Sequence, residues 1–367
     1  MLNKYLCGKC CLIIFLLLNS SHAHSNVKVC DFPPDGVKSG GVVELNGDCT
    51  YHTNIYITES NTELDCNHAT IDGRGILSNG IMVIGKGRPV RNIIIKNCHV
   101  IGFKHSGIGV TSGVSPEKLS VVHDINFNNS PSNIKIIGSH VEYNGGVGIY
   151  IDDYVTNATI EQTKINNNGG VGIYLDQSSQ KNKIINNRIE KNGFLPDGEP
   201  VREGLAIDSS AHNLIIGNVF SGNSRGGIYL YKNCGEQYSK GRSVIRWQHS
   251  DYNIIENNEF YNQPVGVWIA SRQSMNLSKW DCGDKPMKSN KAYYEDFANN
   301  NSVIKNSFCN NTKAVIIEGD YNKIISNEVD ENIITGISEP VSMREELLGI
   351  KSKGNVIQKN ISKKCLN

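Results

Sequence analysis

Past its N-terminal segment the sequence has no apolar run long enough to cross a bilayer as a helix, which takes about 20 apolar residues, and no membrane span is expected. Nor is there an excess of charge. Lys and Arg number 37 against 36 Asp and Glu, whereas a nucleic-acid partner calls for a clustered basic surplus. The spaced leucines of a leucine-rich repeat are missing too.

At the N-terminus, Lys4 and Lys9 precede an apolar run from Cys11 to Leu18, and small and polar residues follow to Ser21-His22-Ala23. This order reads as a secretory signal peptide over residues 1–23. The expected location is periplasmic or secreted. Without the two leader lysines the chain carries 35 basic residues against 36 acidic ones. Eight cysteines remain, and an even number behind an export signal favours disulfides over a metal site. Spacing alone leaves the pairing open. The preferred pairing is Cys30–Cys49, Cys66–Cys98, Cys234–Cys282 and Cys309–Cys365, because each would then join neighbouring turns of the repeat described next.

One pattern recurs along the chain: Asn, a β-branched run, a polar stretch with another Asn, then Gly and a second apolar run. Its first Asn falls at Asn133, Asn157, Asn182, Asn213, Asn253, Asn301, Asn322 and Asn355. From Asn182 onward a second Asn follows five residues later, as in Asn187, Asn218 and Asn258. Short alternating apolar runs mark strands and Asn/Gly clusters mark turns. Uninterrupted copies of 21 to 25 residues are too short for a helical crossover but suit one coil of a β-solenoid. Stacking would turn Ile and Val inward and align the Asn side chains.

These coils resemble the right-handed parallel β-helix repeats of polysaccharide lyases, mannuronan C5-epimerases, pectin-degrading hydrolases and accessory proteins of periplasmic copper-enzyme assembly. The resemblance covers most of the mature chain and implies an all-β, right-handed parallel β-helix. The expected organisation is a single domain over 24–367, with a cap at 24–40. A fold does not choose a reaction.

Intervals between the first Asn residues run 24, 25, 31, 40, 48, 21 and 33, so three consecutive middle coils carry insertions. They lie at Phe194–Arg202, Asn233–Ser250 and Gln273–Asn299. Insertions from adjacent coils become loops on one face of a solenoid, often the binding face. Aligning "GIYIDD", "GIYLDQ", "GLAIDS", "GIYLYK" and "GVWIASR" stacks Tyr150, Tyr174, Ala206, Tyr229 and Trp268 in an outward column. Two residues later come Asp152, Asp176, Asp208, Tyr231 and Ala270, with Lys232 and Arg272 just beyond. Each feature also has an ordinary reading: outward Tyr suits strands, Asp suits turns, and charges pair for structural reasons. The weight of the functional reading lies in the convergence of unusual residues and insertions on the same coils.

Cleavage of uronic-acid polymers by β-elimination needs a cation for the C5 carboxylate, a base for the C5 proton and an acid for the leaving oxygen. The placement resembles chondroitinase B and alginate lyase-type enzymes, and that resemblance implies Lys232 as base with Arg272 as its partner. Tyr231 or His249 is the expected acid, and Arg246 and Glu236 complete the candidate catalytic set. Tyr229, Trp268, Asp208, Asp176, Arg242 and Trp280 are candidates for binding an acidic polysaccharide. Asp208 with Glu203 stands in for that family's Ca²⁺-binding acidic pair, and the Asp-Pro-His-Asp and Arg-x-Pro-x-x-Arg motifs of epimerases and pectate lyases are absent. Lyase and C5-epimerase share the first proton abstraction and are not separated here. A glycoside hydrolase using paired Asp and a non-catalytic carbohydrate-binding or accessory protein are the alternatives. A monomer is expected.

Overall fold

The structure, a computed structural model, describes residues 27–33, 37 and 40–365. The expected leader and most of the expected cap lie outside these residues. Within them, three parallel sheets of 12, 10 and 11 strands run along the stack, and successive strands of each coil go to different sheets. No described helix is long and apolar enough to cross a membrane.

Alternation within each short strand decides what faces the interior. In Val147–Ile151, Ile149 and Ile151 are fully buried while Tyr150 between them is turned outward. The next coils repeat this with Ile173 and Leu175, Leu205 and Ile207, and Ile228 and Leu230, all at 0% exposure. One apolar cluster therefore runs from Val37 to Ile324. Phe220, Phe260 and Phe308 stack inside it with ring centroids 5.0 and 4.8 Å apart.

The repeated Asn residues sit at the corners and bond up the stack. The Asn187 backbone N–H and Nδ2 both donate to Asn218 Oδ1, at 2.9 and 3.0 Å. Asn218 does the same to Asn258, and Asn258 to Asn306. A second ladder runs from Asn182 through Asn213, Asn253, Asn301 and Asn322 to Asn355. A third joins Asn144, Asn168, Asn192 and Asn223. Ladder residues are preceded by residues in the left-handed region, such as Lys181, His212 and Tyr252. That sharp corner turns the Asn side chain into the stack, where it satisfies backbone groups that water cannot reach.

All four expected disulfides are formed. One detail differs from expectation: Cys309–Cys365 does not join neighbouring coils. Lys363 pairs with Asp330, whose coil lies between, and the chain then folds back over it to Cys309. A further long insertion lies before these three. Asn133 bonds to Asn92, 41 residues earlier, and the extra length carries a 3-10 turn at Pro116–Lys118 and a short helix at His123–Asn128. His123 of this segment stacks on Trp247 of the Asn233–Ser250 insertion, with ring centroids 4.1 Å apart.

Candidate functional site

The sheet formed by Val147–Ile151, Ile173–Leu175, Leu205–Asp208, Ile228–Tyr231 and Val265–Ile269 carries the site. Its register sets Tyr150 beside Tyr174, Tyr174 beside Ala206, Ala206 beside Tyr229 and Tyr229 beside Trp268. Asp208 faces Tyr231. This is the alignment expected from the sequence.

Ala206 is the small rung in this aromatic column. Tyr231 packs against it, with Tyr174 and Tyr229 alongside, and its hydroxyl reaches 3.4 Å from that of Tyr174. Two arginines converge there from different insertions. Arg202, at the end of the first, donates from Nη2 to the Tyr231 oxygen at 3.2 Å. Arg272, at the root of the third, lies with its guanidinium carbon 3.9 Å from the Tyr231 ring centroid and 4.8 Å from that of Trp280. A guanidinium near two aromatic rings is held by their quadrupoles. Arg272 Nη1 also donates to Glu236 Oε1 at 2.6 Å.

Cys234–Cys282 ties the second and third insertions together beside this cluster. Glu236 lies two residues after Cys234 and Trp280 two before Cys282, so the bridge places both groups that contact Arg272. Below them, buried Asp296 accepts the backbone N–H of Arg272 at 2.8 Å and that of Lys232 at 2.6 Å. Burial pushes the Asp296 carboxyl up to about 7, against the pull of those two N–H groups and of the Arg272 charge.

Between the insertions opens a cleft of about 430 Å³ whose lining includes Arg202, Glu203, Tyr229, Tyr231, Trp268, Arg272 and Trp280. Trp268 is fixed by Nε1 donating to Glu318 at 3.1 Å. Burial holds the Tyr231 phenol above the usual range although Arg202 and Arg272 pull it down. Arg202 Nε has no hydrogen-bond partner.

The other expected site residues lie behind or beside the cleft. Lys232 turns its ammonium to Asp284 and is buried. His249 pairs with Asp251 at 3.5 Å and stacks on Phe297, and Arg242 reaches Gln237. Arg246 is buried 3.6 Å from Asp176, which accepts the Tyr150 hydroxyl at 2.7 Å. Burial pushes Asp152 and Asp176 each up to about 7, with neighbouring carboxylates adding to it and Arg246 opposing. Arg202, Asp284, Asp296 and Glu318 were not among the residues singled out from sequence. Arg202 was the findable one, as the last residue of a recognised insertion and next to Glu203.

Ca²⁺ takes six to eight oxygen ligands, and the pair offered for it does not fit. Asp208 Oδ1 accepts from Asn233 N and Ser209 Oγ, and Oδ2 from Tyr174 and Asn233 Nδ2, all within 2.8–3.0 Å. Glu203 faces Arg202 at 3.3 Å. Among the described residues no three His, Cys, Asp or Glu side chains are grouped to hold a metal ion.

Solved structures with this architecture act on varied substrates. The A-module of an Azotobacter vinelandii mannuronan C-5 epimerase is 13% identical, with 90% of this chain and 92% of that one covered and a TM-score of 0.52. A DFA-IIIase from Arthrobacter chlorophenolicus A6, without its lid and in complex with GF2, is 14% identical over 92% and 82% of the chains, with a TM-score of 0.52. The catalytic unit of an α-1,3-glucanase from Streptomyces thermodiastaticus is 11% identical over 88% and 60%, also with a TM-score of 0.52. At such identities the likeness shows the fold alone. No curated protein sequence matches the chain. A model described as the right handed beta helix region matches residues 53–244, more than half of the chain. With its three parallel sheets and stacked coils, the chain belongs to the right-handed β-helix family.

Proposed function

We propose that the protein is an exported enzyme acting on an acidic polysaccharide, by β-elimination or C5 epimerisation of a uronic-acid residue seated in the cleft. The observation that carries this reading is the convergence of the Arg202 and Arg272 guanidiniums on Tyr231 between aromatic walls. Aromatic faces suit sugar rings, and the partly exposed Arg202 side chain, which lines the cleft, offers guanidinium donors to a carboxylate. Fixed cations at that carboxylate stabilise the charge that develops as the C5 proton leaves. The neutral Tyr231 phenol handles that proton. Lys232, held by Asp284, anchors the loop in this reading instead of serving as the base. The four disulfides support an oxidising compartment. The names of two proteins of like fold, a mannuronan epimerase and a glucanase, fit a polysaccharide substrate.

A glycoside hydrolase is the second reading, favoured by Asp152 and Asp176. They sit on adjacent coils, about 4.8 Å apart along the stack, and both carboxyls are pushed up to about 7. The deciding experiment incubates the mature protein and its Arg272→Ala variant with a panel of uronic-acid polymers. Ultraviolet absorbance follows the unsaturated product, and solvent-deuterium uptake at C5 is followed in parallel. Absorbance lost in the variant makes it a lyase, and deuterium uptake without cleavage an epimerase. Shortened chains with neither signal favour the carboxylate pair. No change in any polymer removes the enzymatic reading for these substrates.

A further inference from the structure

The cleft phenol does not end in the cleft. The Tyr231 hydroxyl donates to that of Tyr174 at 3.4 Å, and Tyr174 donates to Asp208 Oδ2 at 2.8 Å. Asp208 is fully buried and is held by Asn233, whose N–H and Nδ2 both donate to it at 3.0 Å. On the other side, Arg202 donates to the Tyr231 oxygen, so this oxygen keeps one lone pair for a ligand proton. Among the described residues, a neighbouring pair of the same type, Tyr150 to Asp176, makes no such bond to Tyr231.

We propose that Tyr231, Tyr174 and Asp208 form a proton relay in which Asp208, out of reach of any ligand, is the terminal acceptor for the proton removed in the cleft. The relay rests on the function proposed above. In the forward step the C5–H bond of the uronate breaks and its electron pair moves into the carboxylate, giving an enolate beside Arg272. The C5 proton passes to the Tyr231 oxygen, the Tyr231 proton to Tyr174, and the Tyr174 proton to Asp208 Oδ2. Running the relay backwards returns a proton through Tyr231 to the leaving oxygen, which completes β-elimination. Atoms and charge balance without a further reactant. Tyr231 is the catalytic residue, and Tyr174 and Asp208 are positioning residues acting through it.

A phenol is too weak a base to abstract such a proton unless its own proton has somewhere to go, and the relay supplies that destination without placing a carboxylate against an anionic substrate. The charged groups acting with Asp208 in this region are Arg246 and Arg272 on one side of the balance and Asp176 and Asp296 on the other. Tyr174 and Tyr231 are its phenolic neighbours.

The test compares the full-length mature protein with Tyr174→Phe, Asp208→Asn and the double variant on the polymer turned over by wild type. Tyr174→Phe removes one hydroxyl and keeps the ring. The relay expects kcat to fall about 100-fold in each single variant, within the range of general acid–base catalysis, while KM changes by less than about 2-fold. The double variant should be no slower than either single one, because the groups act as a unit. Unchanged kcat in Tyr174→Phe, or losses that multiply in the double variant, would overturn the relay and leave the proposed function standing. If wild type moves no C5 proton on any polymer, the proposed function fails and the relay with it. Should Asp208→Asn melt far below wild type, Tyr174→Phe decides alone.

Discussion

Arg272 lies 3.9 Å over the ring of Tyr231, and the two residues come from adjacent coils whose strands pair in register. The contact needs a delocalised planar cation, because the same guanidinium also lies 4.8 Å from the Trp280 ring centroid and donates to Glu236. Lys is a compact point charge and cannot fill that slot. Arg272→Lys is therefore expected to lose about 100-fold in kcat/KM on the acidic polymer, similar to loss of one transition-state donor, with circular dichroism unchanged. Steady-state kinetics would check it.

The Cys234–Cys282 bridge closes a separation of 48 residues, for which chain entropy alone suggests about 4 kcal/mol. Its effect should be largest at the cleft, because Glu236 and Trp280 flank it. A Cys234→Ser/Cys282→Ser protein is expected to raise KM at least 10-fold while its coils keep their far-ultraviolet spectrum. Kinetics beside circular dichroism separates the two effects.

Asn258 sits in the middle of a ladder, accepting both donors of Asn218 and donating to Ile215 O and Asn306. Asn258→Ala leaves those buried groups unpaired and should destabilise by about 3 kcal/mol. Asn360 ends the same ladder near solvent, so Asn360→Ala should cost about 1 kcal/mol. Urea unfolding at matched pH gives both values.

Burial pushes the carboxyls of Asp152, Asp176 and Asp296 each up to about 7 in the folded chain, from an ordinary value of 3.8. Between these values the folded protein binds more protons than the unfolded chain, so stability falls as pH rises through this window. The melting temperature is expected to be higher at pH 5 than at pH 8. Asp152→Asn, which removes one of the three ionisations, should flatten the slope in a series of thermal melts.

The coils were legible because period, corner and core are written in the same residues: Asn at the turn, Ile and Val inward. Aligning five Gly-containing strands placed Tyr150, Tyr174, Ala206, Tyr229 and Trp268 in their observed register. Directions of long side chains were not legible. Lys232 and Arg272 share Asp296 through their backbones, yet one side chain turns to Asp284 and the other into the cleft. Asp296 lies in an insertion outside the repeat, 24 residues from Arg272, so no periodicity points to it. The early insertion escaped because the Asn pattern was followed only from Asn133, although Asn61, Asn92 and Asn133 bond to one another in an outer row.

The buried ladders also have a direction. From Asn213 to Asn355, and from Asn187 to Asn360, each Asn Nδ2 donates to the Oδ1 of the Asn in the following coil. The amide dipoles therefore align head to tail along the stack, as peptide dipoles do in an α-helix. Their positive end faces the C-terminal coil, where Asn355 Nδ2 meets the carboxylate of Glu339 at 2.7 Å. The solenoid is thus electrically polar along its axis, and an acidic side chain terminates one column much as an acid caps a helix N-terminus.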